Sequence, residues 1–250
     1  MSGHSRWSQI KRKKGKTDVQ RGKLFSKILR EITVAARSGG GDSKVNMRLK
    51  AAMESAKEAN MPADNIKRAI QKGTGDLPGE AYEEITYEGY GPGGVAIFVE
   101  ALTDNRNRTA SEVRHVFAKS EGSLGESGSV AWLFERKGVV LVEAEGVDED
   151  ELTLVAADGG AEDVEQDGSS FQVTCAPEDL ASVRRALEEV GIRYESAGLT
   201  MVPKSIVEVS DEGAARKILR LLDALEESDD VQDVFSNFDI PERVLEAAAS

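Results

Sequence analysis

The sequence has a single cysteine, Cys175, among 250 residues. That excludes an internal disulfide and any zinc or iron–sulfur site built from several cysteines. Its two histidines, His4 and His115, lie far apart and leave too few imidazoles for a histidine-rich metal centre. No run approaches the roughly 18–20 consecutive apolar residues of a membrane span. Residues 1–16 are polar and basic with no apolar segment, which is not the pattern of a secretory signal. Nucleophile elbow, P-loop and zinc signatures are also missing. These absences lead us to expect a soluble cytoplasmic protein with no membrane partner, no cofactor, no metal and no catalytic chemistry.

What is present is enough to fold. Apolar residues make up 40% of the chain and charged residues 31%, and this length usually divides into two or three domains. The net charge of −13 hides a strong polarity. Residues 1–75 hold 18 Lys and Arg against 6 Asp and Glu, a surplus of twelve positive charges. Residues 76–250 hold 14 basic and 39 acidic side chains, a deficit of twenty-five. A basic segment of this kind suits a polyanion, because each cation that neutralises a phosphate releases condensed counterions. The acidic remainder is repelled by the same ligand, which confines contact to one end.

Residues 3–16 form a basic arm without periodic apolar residues. From Asp18, the positions Leu24, Phe25, Ile28, Leu29, Ile32, Ala35 and Ala36 repeat at helical spacing. Lys23, Lys27 and Arg30 recur on another side of the same helix. The run 38–42, rich in glycine, stops it. A second helix is expected over 46–59. Pro62 breaks it, and a third helix over 63–72 turns Lys67, Arg68 and Lys72 outward. The candidate nucleic-acid contacts are Arg6, Trp7, Lys11, Arg12, Lys13, Lys14, Lys16, Arg21, Lys23, Lys27 and Arg30. Like charges packed this densely repel one another, at a cost that a bound polyanion relieves. Trp7 either stacks on a base or anchors the arm.

Beyond residue 80 the pattern becomes strand-like. Residues 85–88 and 95–102 flank a stretch, 89–94, that fits G-x-G-x-x-G. In a dinucleotide site those glycines open a helix. Here they precede the strand-forming run VAIFV, so a glycine-rich hairpin is expected. A helix over 110–120 follows, capped by Asp104 or Asn105. Arg106 and Arg108 beside it could make a second anion contact, with a capping turn carrying solvated arginines as the competing interpretation. Residues 138–201 then read strand (138–144), helix (149–157), two strands (161–165 and 170–175), helix (177–190) and strand (192–201), the ferredoxin-like order. Cys175 falls in one of these strands as a buried thiol. A strand over 206–209, a helix over 214–226 and a strand over 231–238 complete the chain. The acidic runs 148–151 and 226–230 are expected at solvated helix ends and loops. The fold class expected is α+β: a three-helix bundle over 1–76, then a discontinuous α/β domain over 80–135 and 204–240. A ferredoxin-like domain over 136–203 is inserted into it.

Six blocks carry a family resemblance: GHSRWSQIK at 3–11, RGKLFSK at 21–27, AKEANMP at 56–62, YEGYGPGG at 87–94, TDNRNRT at 103–109 and GSVAW at 128–132. Together, and in this order, they resemble the YebC family over nearly the whole chain. That family is generally described as transcriptional regulators and includes mitochondrial translational activators of cytochrome c oxidase. The resemblance implies three domains, one inserted into another, and a DNA-binding transcriptional regulator. The alternative it implies is a translation factor whose partners are the ribosome and its ribosomal or transfer RNA. On either view the acidic domains would seat the protein on a partner or form a homo-oligomer.

Overall fold

The computed structural model describes residues 18–241 together with 243 and 244. The described residues begin with α1 (Asp18–Gly39), α2 (Met47–Glu58) and α3 (Ala63–Thr74). Ile32, Ala35 and Ala36 of α1 are buried against Leu49, Ala52 and Ala56 of α2 and Ile66 and Ala69 of α3. Asn46 joins two of these helices. Its Oδ1 accepts from the Leu49 amide at 3.0 Å and so caps α2, while its Nδ2 donates to the carbonyls of Ala35 and Gly40 at 2.8 Å. Gly73 lets α3 lie directly on α1, because a Cβ there would sit 2.4 Å from the Thr33 carbonyl oxygen.

The next sheet has the strand order β3-β1-β2-β9, with β1 (Glu83–Tyr90), β2 (Ala96–Thr103), β3 (Ser123–Leu124) and β9 (Val231–Ser236). β1 and β2 are an antiparallel hairpin in register from Glu83↔Thr103 to Tyr90↔Ala96. Its connection is a tight turn in which Gly93 and Gly94 take φ of 73° and 76°, a region that L side chains rarely adopt. The G-x-G-x-x-G stretch therefore reverses a hairpin through a single 3-10 turn at Pro92–Gly94 and leads into a strand, not an α-helix. Two helices, α4 (Arg106–Lys119) and α7 (Glu212–Glu226), cover one face. Val113 and Phe117 of α4 and Ile218, Leu221, Leu222 and Leu225 of α7 meet Ile97, Val99 and Val234 from the strands.

Between β3 and α7 the chain builds a second sheet from β4 (Phe134–Glu143), β5 (Ala161–Asp167), β6 (Ser170–Cys175) and β7 (Ser196–Pro203). Helices α5 (Glu149–Asp158) and α6 (Leu180–Glu189) join β4 to β5 and β6 to β7. Its order, β5-β6-β4-β7, is antiparallel throughout and is the ferredoxin-like arrangement. Leu152, Ala156, Val183 and Leu187 pack on Val140, Val142, Phe171 and Val173, with Cys175 fully buried among them. Only then does β9 return to pair with β2. The two sheets meet through Phe98, Phe134 and Phe235, with ring centroids 6.1 Å and 6.3 Å apart, and through Met201.

Several elements begin or end away from their expected places. α4 starts at Arg106 because the Asn105 side chain accepts from the Arg108 amide at 3.1 Å. α6 starts at Leu180, after a turn in which the Asp179 amide bonds the Ala176 carbonyl at 3.0 Å. β7 starts at Ser196, because the Ile192 amide is still bonded to Leu187 at 2.9 Å and completes the end of α6. The final strand is split. Asn237 leaves β9, accepts from the Ala96 amide at 2.8 Å and donates to the Ser205 carbonyl at 3.1 Å. β10 (Phe238–Asp239) then pairs in parallel with β8 (Val207–Glu208).

Candidate nucleic-acid interface

The residues Arg6, Trp7, Lys11, Arg12, Lys13, Lys14 and Lys16 lie outside the described residues. Arg21, on the first turns of α1, is exposed. Lys23, Lys27 and Arg30 share a side of α1, as their spacing requires, but the structure uses them differently from the sequence expectation. Lys23 Nζ donates to the Glu227 carbonyl at 3.0 Å and Lys27 Nζ to the Glu226 carbonyl at 2.9 Å. The Arg30 guanidinium donates to the Asp229 carbonyl and, at 2.8 Å, to the Asp230 carboxylate. All three engage the C-terminal end of α7 and the loop beyond it. The reason is electrostatic: the last carbonyls of a helix lack intrahelical partners and carry the negative end of its dipole. In this arrangement these cations are contacts within the chain.

Asp230 is the centre of the junction, with its side chain 4% exposed. It takes Arg30 on one oxygen. On the other it takes Arg108 Nη2 at 2.8 Å, Thr109 Oγ1 at 2.7 Å and Thr103 Oγ1 at 3.3 Å. Burial alone would raise its pKa, but the hydrogen bonds from Arg108 and Thr109 and the charges of Arg30 and Arg108 hold it below the usual carboxylate range. Arg108 also bonds Asp104 at 2.6 Å, and together the two carboxylates hold the guanidinium above its ordinary value. Arg108 is therefore a structural ion-pair partner. Arg106 reaches only Glu83, at 3.7 Å, and stays 66% exposed, so of the two it alone keeps a mostly solvated guanidinium. In the run 226–230 the Glu227 and Asp229 side chains are exposed, as expected, but the backbone carbonyls and the buried Asp230 hold the helical bundle.

The bundle is joined to the sheets almost entirely by such polar contacts. Arg48 of α2 bonds Glu31 at 2.6 Å and Glu84 of β1, and Arg30 lies 5.4 Å from the centre of the Tyr82 ring. The apolar core of the bundle and that of the first sheet are separate clusters. Between them is a cavity of about 400 Å³ lined by Leu24, Ile28 and Glu31 of α1, Ala52 of α2, and Gln232 and Asp233 of β9. Asp233 sits directly across the strands from Glu100. Solvent reaches Asp233, yet the protein crowded around it pushes its carboxyl up, with Lys27 opposing the effect and Glu31 and Glu226 adding to it. Glu100 is raised as well, by burial and then by Asp233. Gln232 Nε2 is buried there without a hydrogen-bond partner among the described residues.

The bundle also carries exposed basic residues. Lys67, Arg68 and Lys72 of α3 are exposed, as their spacing predicts, and they are joined by Lys44, Lys50 and Lys57 on and before α2. The latter three were not singled out in the sequence, because isolated lysines among Ala and Glu look like any solvated helix face. Neither His115 nor Cys175 belongs to a cluster of metal-binding side chains among the described residues. Burial raises the Cys175 thiol above its usual pKa, which suits a packing role. No helix among the described residues is long and apolar enough to cross a membrane.

Comparison with known proteins places this geometry in a family. The model of the second and third domains of TACO1/YebC proteins matches residues 82–238, and the model of their N-terminal domain matches residues 5–76. A relative from Rubrobacter xylanophilus named probable transcriptional regulatory protein is 60% identical over 251 residues, with 100% of each chain covered. One of the same name from Desulfotalea psychrophila is 56% identical over 249 residues, again covering 100% of both. The crystal structure of a conserved hypothetical protein from Aquifex aeolicus superposes with a TM-score of 0.81 at 55% identity, spanning 91% of this chain and 93% of that one. The two family domains, the full-length relatives and the shared three-part architecture establish that this chain belongs to the TACO1/YebC family.

Proposed function

We propose that the protein is a cytoplasmic nucleic-acid-binding regulator without catalytic chemistry, and that its ligand is DNA. The observation that carries this reading is the segregation of charge: residues 1–75 hold a surplus of twelve positive charges on a chain whose net charge is −13. Exposed Lys50, Lys57, Lys67, Arg68 and Lys72 on α2 and α3 add to the basic character of the bundle. The names of the relatives support the regulatory part of the reading. Phosphate contact of this kind positions a protein on nucleic acid without reading its sequence. We therefore assign the bundle to affinity and the α/β body to seating the protein on a partner or forming a homo-oligomer.

The test is the salt dependence of binding to a DNA duplex and to an RNA of the same length. Replacing Lys11, Arg12, Lys13 and Lys14 by alanine should lower the slope of log K against log salt by roughly 3–4, since about 0.9 counterions are released per phosphate contact. Folding should be unaffected. An unchanged slope would mean that these residues remain in solvent. Clear preference for RNA, with cosedimentation on ribosomes, would replace DNA by a ribosomal ligand.

A further inference from the structure

The cations Lys23, Lys27 and Arg30 lie on the basic third of the chain, yet they are spent on the carbonyls of residues 226, 227 and 229 and on Asp230. We propose that this contact is an ionic latch: the acidic end of α7 occupies a phosphate-binding row on α1, and a nucleic-acid backbone opens the latch by taking its place. The inference rests on the nucleic-acid reading given above and adds regulation to it.

Three observations carry it. First, the spacing of Lys23, Lys27 and Arg30 lines up three cations along about two turns of helix, a row that fits successive phosphates as well as it fits a helix end. Second, the junction is polar. The bundle and the first sheet keep separate apolar cores, and a cavity of about 400 Å³ lies between them. An interface without a shared core is weakened by salt and by competing anions in a way that an apolar interface is not. Third, carboxylates of both parts crowd the junction. Glu31 of α1 lines the cavity together with Asp233 of β9, and Asp233 already lies opposite Glu100. Separating the bundle from the body takes Glu31 away from Asp233.

Closed and open forms then compete for one row of cations. The apparent affinity for nucleic acid equals the affinity of the open form scaled by the fraction of molecules that are open. Weakening the acceptor side of the latch while keeping every cation should therefore tighten binding. A residue that merely supported the fold would not do this.

The experiment uses the full chain with dyes at Asp64→Cys on α3 and Glu149→Cys on α5, both exposed positions. The native Cys175 is buried and stays unlabelled. The probes are a short mixed-sequence DNA duplex and a polyadenylate of the same length. Energy transfer and binding are read in the same titration. The latch predicts that transfer falls as a probe binds, and that Asp230→Asn binds about three- to tenfold more tightly because more of it is open. It also predicts that Lys23→Gln with Lys27→Gln shows low transfer before any probe is added, a second variant that leaves Asp230 and its partners in the body untouched. Binding with unchanged transfer would overturn the latch and leave the nucleic-acid reading standing. A double variant that stays closed would overturn the latch as well. No binding of either probe would remove both.

Discussion

Two buried carboxylates, Asp230 and Glu88, organise the surface of the body, and both gain from ionisation. Glu88 is 4% exposed and accepts the amides of Gly128, Val130 and Ala131 at 2.6–2.7 Å, which fixes the loop that carries the exposed Trp132. Burial opposes its charge, but the three amide bonds win and hold its pKa below the usual value. Replacing Glu88 by Gln would turn an amide group toward N–H donors and should cost about 2 kcal/mol, read from the urea midpoint. Replacing Asp230 by Ala strands the Arg108, Thr109 and Thr103 donors. Its arginine partners can turn to water, so a loss of about 2–3 kcal/mol is expected, short of a fully buried pair. Both folded pKa values lie below the unfolded ones, so the folded state binds fewer protons. The stabilisation is full above the ordinary carboxylate range near about pH 4 and is lost as pH falls through the lower folded values. Chemical unfolding at a series of acid pH values should show this fall in the unmodified protein and a shallower one in Glu88→Gln.

At the scale of elements the opposite sign appears between β2 and β9. Glu100 and Asp233 are directly opposed, and each is pushed up. Like charges facing across strands destabilise a sheet. Asp233→Asn should therefore raise stability at neutral pH by about 0.5–1 kcal/mol and bring the titration of Glu100, followed by carboxyl NMR, down toward its usual range. A lower unfolding midpoint for this variant would show that Asp233 contributes a favourable contact. The elements themselves were largely legible in the sequence. The apolar stripe of α1 ends on Ile32, Ala35 and Ala36, all buried in the bundle, and the strand that follows the glycine-rich turn marks a hairpin. Element ends were harder to read. The start of α4 depends on which of two neighbouring residues turns its side chain onto an amide, and the split at Asn237 depends on bonds to Ala96 and Ser205 far away in sequence. The direction of Lys23, Lys27 and Arg30 could be read from helical spacing, but their destination could not. Periodicity places a side chain on a face and does not say what is packed across from it. Asp230 was hidden for the same reason, since an acidic residue after a helix looks solvated until the arginines of two other elements close over it.

For the molecule as a whole, polarity of charge and polarity of structure coincide. The positive surplus lies in residues 1–75, which supply the helical bundle, and the negative excess lies in the residues beyond, which build the two sheets and their helices. The bundle touches the sheets through polar contacts and keeps Lys44, Lys50, Lys67, Arg68 and Lys72 exposed to solvent. On the proposed reading, one end meets a polyanion and the other turns toward something else. The segregated charges would then orient the approach, with the acidic body driven away from phosphate and the bundle drawn in. The most direct test is to irradiate the full-length protein bound to nucleic acid and map the crosslinked peptides by mass spectrometry. The account predicts crosslinks concentrated in residues 1–76, including α2 and α3. Crosslinks falling chiefly on the acidic sheets beyond residue 76 would contradict it.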